Sequence, residues 1–296
     1  MDTQLINVPL DLEVEMKAIV DDLHTQLAEG TRESSLWKTY PMSPNLWLVV
    51  NQYLTTLNGP LRYNYFSHNH TFVLQISSRY HDVLRRSFLR VIVKKLYRLC
   101  RAYGVRTFAR RILATCPPQS KAETPSGCDS HQPDIYFTHV SPPRSGVCVE
   151  ITFAGKRDSI QDLAEFYILH SRRKVSLFIS LDYDRRRSWA VTLRTWRRDY
   201  TDPTGLGLIY RTQEIRDDSG LIVAGEPLKI CVLDFAEQEH VPPFLHHREI
   251  ELSVRELGSV LEQADFGDDL EDNHEESSSD DDEGTPDSES EWPFET

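Results

Sequence analysis

No apolar run in the sequence approaches the about 20 residues that a membrane-crossing helix needs, so no transmembrane segment is expected. Apolar residues make up 39% of the chain and fall in short bounded runs, the pattern of a globular core. The start, Met1 to Leu12, mixes Asp2, Pro9 and Asp11 with apolar side chains and lacks the basic-then-apolar order of a secretory leader. An intracellular protein, cytoplasmic or nuclear and not secreted, is therefore expected. Cysteine is scarce: Cys100, Cys116, Cys128, Cys148 and Cys231 are odd in number and never spaced C-x-x-C, which argues against a zinc ribbon or a disulfide framework. Gly205-Leu206-Gly207 lacks the third glycine and the strand–turn–helix setting of a phosphate loop. No G-x-S-x-G elbow supports acyl transfer, and His68, His70, His246 and His247 have no carboxylate or thiolate in ligand register.

Charge of one sign is missing from two segments. Residues 265–296 hold 15 Asp and Glu and no Lys or Arg, which leaves 33 basic against 31 acidic residues elsewhere, so the net charge of −13 belongs to the tail. That tail cannot bury enough apolar surface to order itself and is expected to be disordered. Its Ser277-Ser278-Ser279 run, followed by Asp280-Asp281-Asp282-Glu283, suits acid-directed kinases. Trp292 and Phe294 are the only large apolar groups in its distal part. Conversely, residues 83–122 contain no acid and 11 Lys or Arg. The basic helix expected within 83–111 is either a solvated face or a nucleic-acid surface using Arg85, Arg86, Arg90, Lys94, Lys95 and Arg98 on phosphates. The acidic tail either recruits a protein partner or masks this helix.

Leu12, Met16, Ile19, Val20, Leu23 and Leu27 recur at helical spacing, giving an amphipathic helix over 11–29. Residues 45–57 fit helix or strand. A hairpin is expected from Arg62–Phe66 and Thr71–Ile76, then a long helix capped by Ser77 or Ser78 and stopped at Gly104. Residues 116–132 read as a Pro/Ser/Gly-rich loop. Strands are expected over 134–140, 146–153 and 174–182, the last parallel to its predecessor if the helix from about 158 to 171 is its crossover. Further strands follow at 188–197, 206–215 and 228–235, with a last amphipathic helix over 249–264. The fold class is thus α/β, a central mixed sheet flanked by helices.

The informative unit is Pro133-Asp134, then sixteen residues to Glu150, on neighbouring strands that precede a crossover helix. Two carboxylates so placed can share a Mg²⁺, which prefers hard oxygen ligands and activates water at phosphoryl centres. Glu150 lies inside Val147-Cys148-Val149-Glu150-Ile151, where a charge needs a partner, a metal or a raised pKa. The plainer alternatives are a turn-capping Asp134 and a buried salt bridge from Glu150 to an arginine.

Pro133-Asp134…Val149-Glu150-Ile151-Thr152, the helix with Leu163, Ala164 and Tyr167, and the strand 174–182 together resemble the PD-(D/E)XK, or restriction-endonuclease-like, nuclease core. The likeness is to bacterial relatives with a PD…E-V-x-S pattern and to fungal proteins that share it. Ser77-Ser78-Arg79-Tyr80-His81-Asp82 resembles the small-x-x-His-Glu opening of a long helix in that group. Trp196, Thr212–Asp217 and Leu233-Asp234-Phe235 resemble later segments, so the likeness covers about residues 60–264. The resemblance implies that Asp134 and Glu150 bind Mg²⁺, with Asp82 as a third acid. It also implies a lysine two residues after the Glu, or on the helix, that polarises the scissile phosphate. Here Thr152 stands at the first position and Leu163 or Ala164 at the second, leaving Lys156 or Arg157 as the substitute. Two functions follow: a metal-dependent nuclease with a degenerate site, or a catalytically inactive module that binds nucleic acid or protein. The implied organisation is a helical region over 1–57, the α/β domain over 58–264 and the acidic tail over 265–296.

Overall fold

The computed structural model describes residues 10–29, 36–54, 62–76, 78–115, 120–124, 127–142, 145–153, 157–171, 174–183 and 188–272. Lys156 and residues 273–296 of the tail expected to be disordered lie outside them, whereas residues 265–272 of that tail are helical rather than disordered.

Helix α1 (Leu10–Glu29) and helix α2 (Pro44–Leu54) flank strand β1 (Leu36–Pro41). The undecided segment is therefore a helix, and it buries Leu46, Trp47, Val50 and Leu54 along one stripe. Strands β2 (Arg62–Phe66) and β3 (Thr71–Ile76) form the expected hairpin. Helix α3 (Arg79–Ala102) starts where the Ser78 side chain accepts from the His81 amide, and it ends before Gly104, whose φ of 74° suits glycine. A short helix α4 (Arg106–Arg110) and strand β4 (Ile112–Thr115) follow.

The stretch read as a loop contains a second hairpin, β5 (Ser120–Thr124) and β6 (Gly127–His131). Its few apolar residues give no period-two signal; pairing to β2 at Tyr65↔Ser130 and burial of Ala122 hold it in place. Strands β7 (Ile135–His139) and β8 (Gly146–Phe153), helix α5 (Arg157–Glu165) with its π-helical continuation over Phe166–His170, and strand β9 (Val175–Tyr183) match expectation. β8 and β9 are parallel. Strands β10 (Val191–Arg198), β11 (Leu208–Arg216), β12 (Leu228–Cys231) and β13 (Glu249–Leu252) precede helix α6 (Val254–Asp272). The last helix thus begins later and runs further than expected, since Glu249–Leu252 pairs with β12. Ser253 and Glu256 close a capping box that fixes its start: the Ser253 amide donates to Glu256 Oε2 at 2.9 Å and the Glu256 amide to Ser253 Oγ at 3.3 Å.

Three sheets result among the described residues. The six-stranded sheet has the order β11-β10-β9-β8-β7-β4, the five-stranded sheet has β1-β3-β2-β6-β5, and β12 and β13 form a two-stranded ribbon. Alternation along β8 sends Val147, Val149 and Ile151 into the core shared with α3 and α6, while Cys148 joins α5 on the other side. Alternation along β2 sends Tyr63 and Tyr65 towards α2 and Phe66 towards α5 and the larger sheet. Arg62 and Asn64 share the Phe66 side. That inner face is what builds the site.

Elements on either side of the expected boundary near residue 57 pack together: β1 pairs with β3 at six positions and Trp47 stacks on Tyr65 with centroids 4.6 Å apart. Trp47→Ala should therefore cost about 3–5 kcal/mol and shift one cooperative transition. Urea unfolding followed by near- and far-UV circular dichroism checks this. A far-UV transition left unmoved would make the N-terminal region an independent unit.

Candidate functional site

Register brings the two carboxylates together. Ile135 lies opposite Val149, so Asp134, one residue before β7, meets Glu150. The Asp134 amide donates to Glu150 Oε2 at 3.2 Å, and the Ile151 amide donates to Asp134 Oδ2 at 2.7 Å. Both side chains are fully buried. A third element supplies the counter-charge: Arg62, on the inner face of β2, pairs through Nη1 with Asp134 Oδ1 and sets Nη2 3.9 Å from Glu150 Oε2. The same Nη2 donates to the Gln132 carbonyl at 3.2 Å. A fourth element, the first turn of α3, brings His81 Nε2 to 2.9 Å from Asp134 Oδ1. Gln75, opposite Arg62 in the β2–β3 ladder, places its amide nitrogen 3.3 Å from that His81 nitrogen.

These contacts divide the two acids. Burial alone would raise Asp134, but Arg62, His81 and the Ile151 amide outweigh it and lower it to about 2. Burial and the neighbouring Asp134 charge push Glu150 up to about 8, against a smaller opposing pull from Arg62. For His81, burial works downward and Asp134 overrides it, so its pKa is raised. Near neutral pH the cluster holds an ionised Asp134, a protonated Glu150 and the Arg62 cation. Among the described residues the buried Glu150 Oε1 has no hydrogen-bond partner.

Asp82 is not brought to the pair. The helix turns it aside, half-exposed, 3.5 Å from Arg85 Nε and 3.9 Å from His81 Nδ1. His81 takes the place expected of the acid. Thr152 is spent on another contact: its hydroxyl donates to Asp182 Oδ1, which also accepts from Ser180 Oγ at 2.5 Å, while Arg194 pairs with Asp182 Oδ2. The cross-strand register Glu150↔Ser180 and Thr152↔Asp182 sets these neighbours. Among the described residues no group of three or more His, Cys, Asp or Glu is arranged to hold a metal ion. The donor set for Mg²⁺ comes to two carboxylates, three of whose four oxygens already accept from amides or face Arg62 and His81. Arg62, facing both acids, competes with a cation for them.

Sequence reasoning missed Arg62, Asp182 and Arg194. An arginine alternating with Asn64 on the face opposite Tyr63 and Tyr65 marks a polar stripe in a hairpin, a signal that was present but does not name its partner.

The basic residues of α3 divide by helix geometry. The helix buries Leu84, Phe88, Ile92 and Leu96, whereas Arg86, Arg90, Lys94 and Arg98 are exposed in a row at spacings of four. Arg85 is half-buried beside Asp82, and Lys95 Nζ lies 2.7 Å from Glu256 Oε1 on α6. Arg101, Arg106, Arg110 and Arg111 are also exposed.

The divided acids give stability a pH signature. Glu150 keeps a proton that the unfolded chain releases, so its contribution falls as pH rises from about 4.5 to about 8, and His81 adds a decline of the same sign. Asp134 contributes in the opposite sense, losing stability as pH drops from about 4 towards 2. Glu150→Gln should flatten most of the neutral-range decline and leave the acid limb in place. Urea midpoints measured from pH 3 to 9 on both proteins check this, and parallel curves would refute a buried protonated Glu150.

No family model matches the chain and no curated protein is similar to it, so what the site does rests on its own chemistry.

Proposed function

We propose that this chain is a restriction-endonuclease-like, PD-(D/E)XK-type domain that binds nucleic acid through its phosphates without cutting it. The relationship is supported by the order α3, β4, β7, β8, α5, β9, with Asp134 and Glu150 on adjacent strands and a parallel β8–β9 pair around a crossover helix. The carrying observation for the loss of cutting is Arg62: its guanidinium sits between the two acids and supplies from within the protein the charge that a divalent cation would bring. Thr152, bound to Asp182, offers no cation to a scissile phosphate. What stays open to a polyanion is the exposed row on α3. Lys and Arg placed there neutralise backbone phosphates and release counterions irrespective of base sequence.

The second reading, a Mg²⁺-dependent nuclease using Asp134 and Glu150 with Lys156 as the cation, is favoured by one observation. Glu150 Oε1 is a buried oxygen with no hydrogen-bond partner among the described residues, as a metal ligand would be before loading.

One set of measurements separates them. The wild-type protein should bind mixed-sequence DNA with an affinity that falls about 10-fold or more between 50 and 200 mM salt, and it should leave single- and double-stranded substrates intact with Mg²⁺ or Mn²⁺. Arg86→Glu with Arg90→Glu should abolish binding while preserving the thermal unfolding curve. Arg62→Ala, which strips the acids of their counter-charge, should gain a Mn²⁺-dependent thermal shift that the wild type lacks. Wild-type cleavage that disappears in Glu150→Gln would establish the second reading. No binding at low salt would assign the α3 face to a protein partner.

A further inference from the structure

The exposed α3 row has a counterpart in this chain. Helix α6 packs along α3, and its direction follows from three contacts. Near its start, Glu256 meets Lys95 in the second half of α3. Further along, Asp265 Oδ2 lies 2.5 Å from Arg216 Nη1. Arg216 is opposite Val191, Val191 is opposite Tyr183, and the Tyr183 ring lies 5.0 Å from Tyr80 in the first turn of α3. The two helices are therefore antiparallel, and α6 delivers the chain at Asp272 towards the end of α3 from which Arg86, Arg90, Lys94, Arg98 and Arg101 begin. Among the described residues none of these five makes an ion pair.

Beyond Asp272 the sequence continues for 24 residues with ten Asp or Glu and no Lys or Arg. At ~3.3 Å per extended residue that length reaches well past the ~22 Å from Arg86 to Arg101. We infer that residues 273–296 dock in cis along the exposed face of α3, with the carboxylates of Asp280, Asp281, Asp282 and Glu283 paired to its row of cations. The exchange has a precedent in the fold, since α6 already neutralises Lys95 with Glu256. Tethering makes the contact intramolecular, at an effective concentration in the millimolar range for a short linker, so the tail occupies the face ahead of any other copy. The regulatory consequence rests on the phosphate-binding reading of α3: the tail acts as a polyanion that competes with nucleic acid. Phosphate on Ser277, Ser278 or Ser279 adds charge to the same segment and tightens the competition.

The test uses the full chain and is independent of nucleic acid in its first arm. A carbodiimide reagent that joins an amine directly to a carboxylate should link Lys94 to the peptide carrying Asp280–Glu283. The product should stay in the monomer fraction, disappear at about 1 M salt, where screening is complete within about 3 Å, and be absent in Lys94→Arg, which keeps the charge and removes the amine. In the second arm, Asp280→Asn, Asp281→Asn, Asp282→Asn and Glu283→Gln, changes that touch no residue of the described fold, should tighten binding to a short fluorescent duplex about tenfold at low salt. Absence of the Lys94 cross-link, or its presence only in a dimer fraction, overturns docking in cis. A cross-link with unchanged duplex affinity in the neutralised variant overturns the competition. A cross-link with no duplex binding by either protein upholds the docking and removes the nucleic-acid reading instead.

Discussion

One guanidinium holds the centre of this molecule together. Arg62 comes from the five-stranded sheet, and the acids it faces belong to the six-stranded one. His81 arrives from α3 and the Ile151 amide from β8, both to the same carboxylate. Desolvating these groups is costly, and a buried ion pair is weak evidence of net stabilisation, yet removing one partner leaves another charged and dry. The cluster therefore acts less as a source of stability than as a register mark: the layers fit only when hairpin, sheet and helix are correctly seated.

The division of charge in the molecule follows from this. Inside, Asp134 is paired with Arg62 and His81, and Glu150 lies beside them, fully buried. Outside, Arg86, Arg90, Lys94 and Arg98 stand in an exposed row on α3 with no ion pair among the described residues, and residues 265–296 hold 15 Asp and Glu. Asp134 is thus engaged within the protein, whereas the arginines of the α3 row face solvent.

Much of the architecture was legible because period and punctuation agree. Gly146–Phe153 reads as a nearly continuous apolar run and is a strand, buried over residues 146–152; Ser78 and Gly104 bracket α3 as cap and stop. The failures have physical causes. Ser120–Thr124 and Gly127–His131 are strands by virtue of their neighbours, with little apolar content of their own. Glu249–Leu252 was absorbed into the following helix because its alternating Glu249, Ile250, Glu251, Leu252 is too short to outvote the 3.6-residue pattern beyond it, although Ser253-Val254-Arg255-Glu256 carried the capping-box signature. At the site, the meeting of Asp134 and Glu150 and the need of Glu150 for a partner or a raised pKa followed from the strand pattern. The identity of that partner did not, because Arg62 lies 72 residues from Asp134 and only the seating of one sheet against another makes them neighbours.

The Arg62 bridge also constrains how the sequence can change over generations. Losing the arginine alone strands the Asp134 charge beside Glu150, and losing Asp134 alone leaves the cation facing a protonated Glu150, so either step alone costs stability. Replacing the members together with apolar residues of matching volume escapes that valley. The three positions therefore behave as one heritable unit, and descendants of this chain are expected to keep all of them or to have exchanged them in concert.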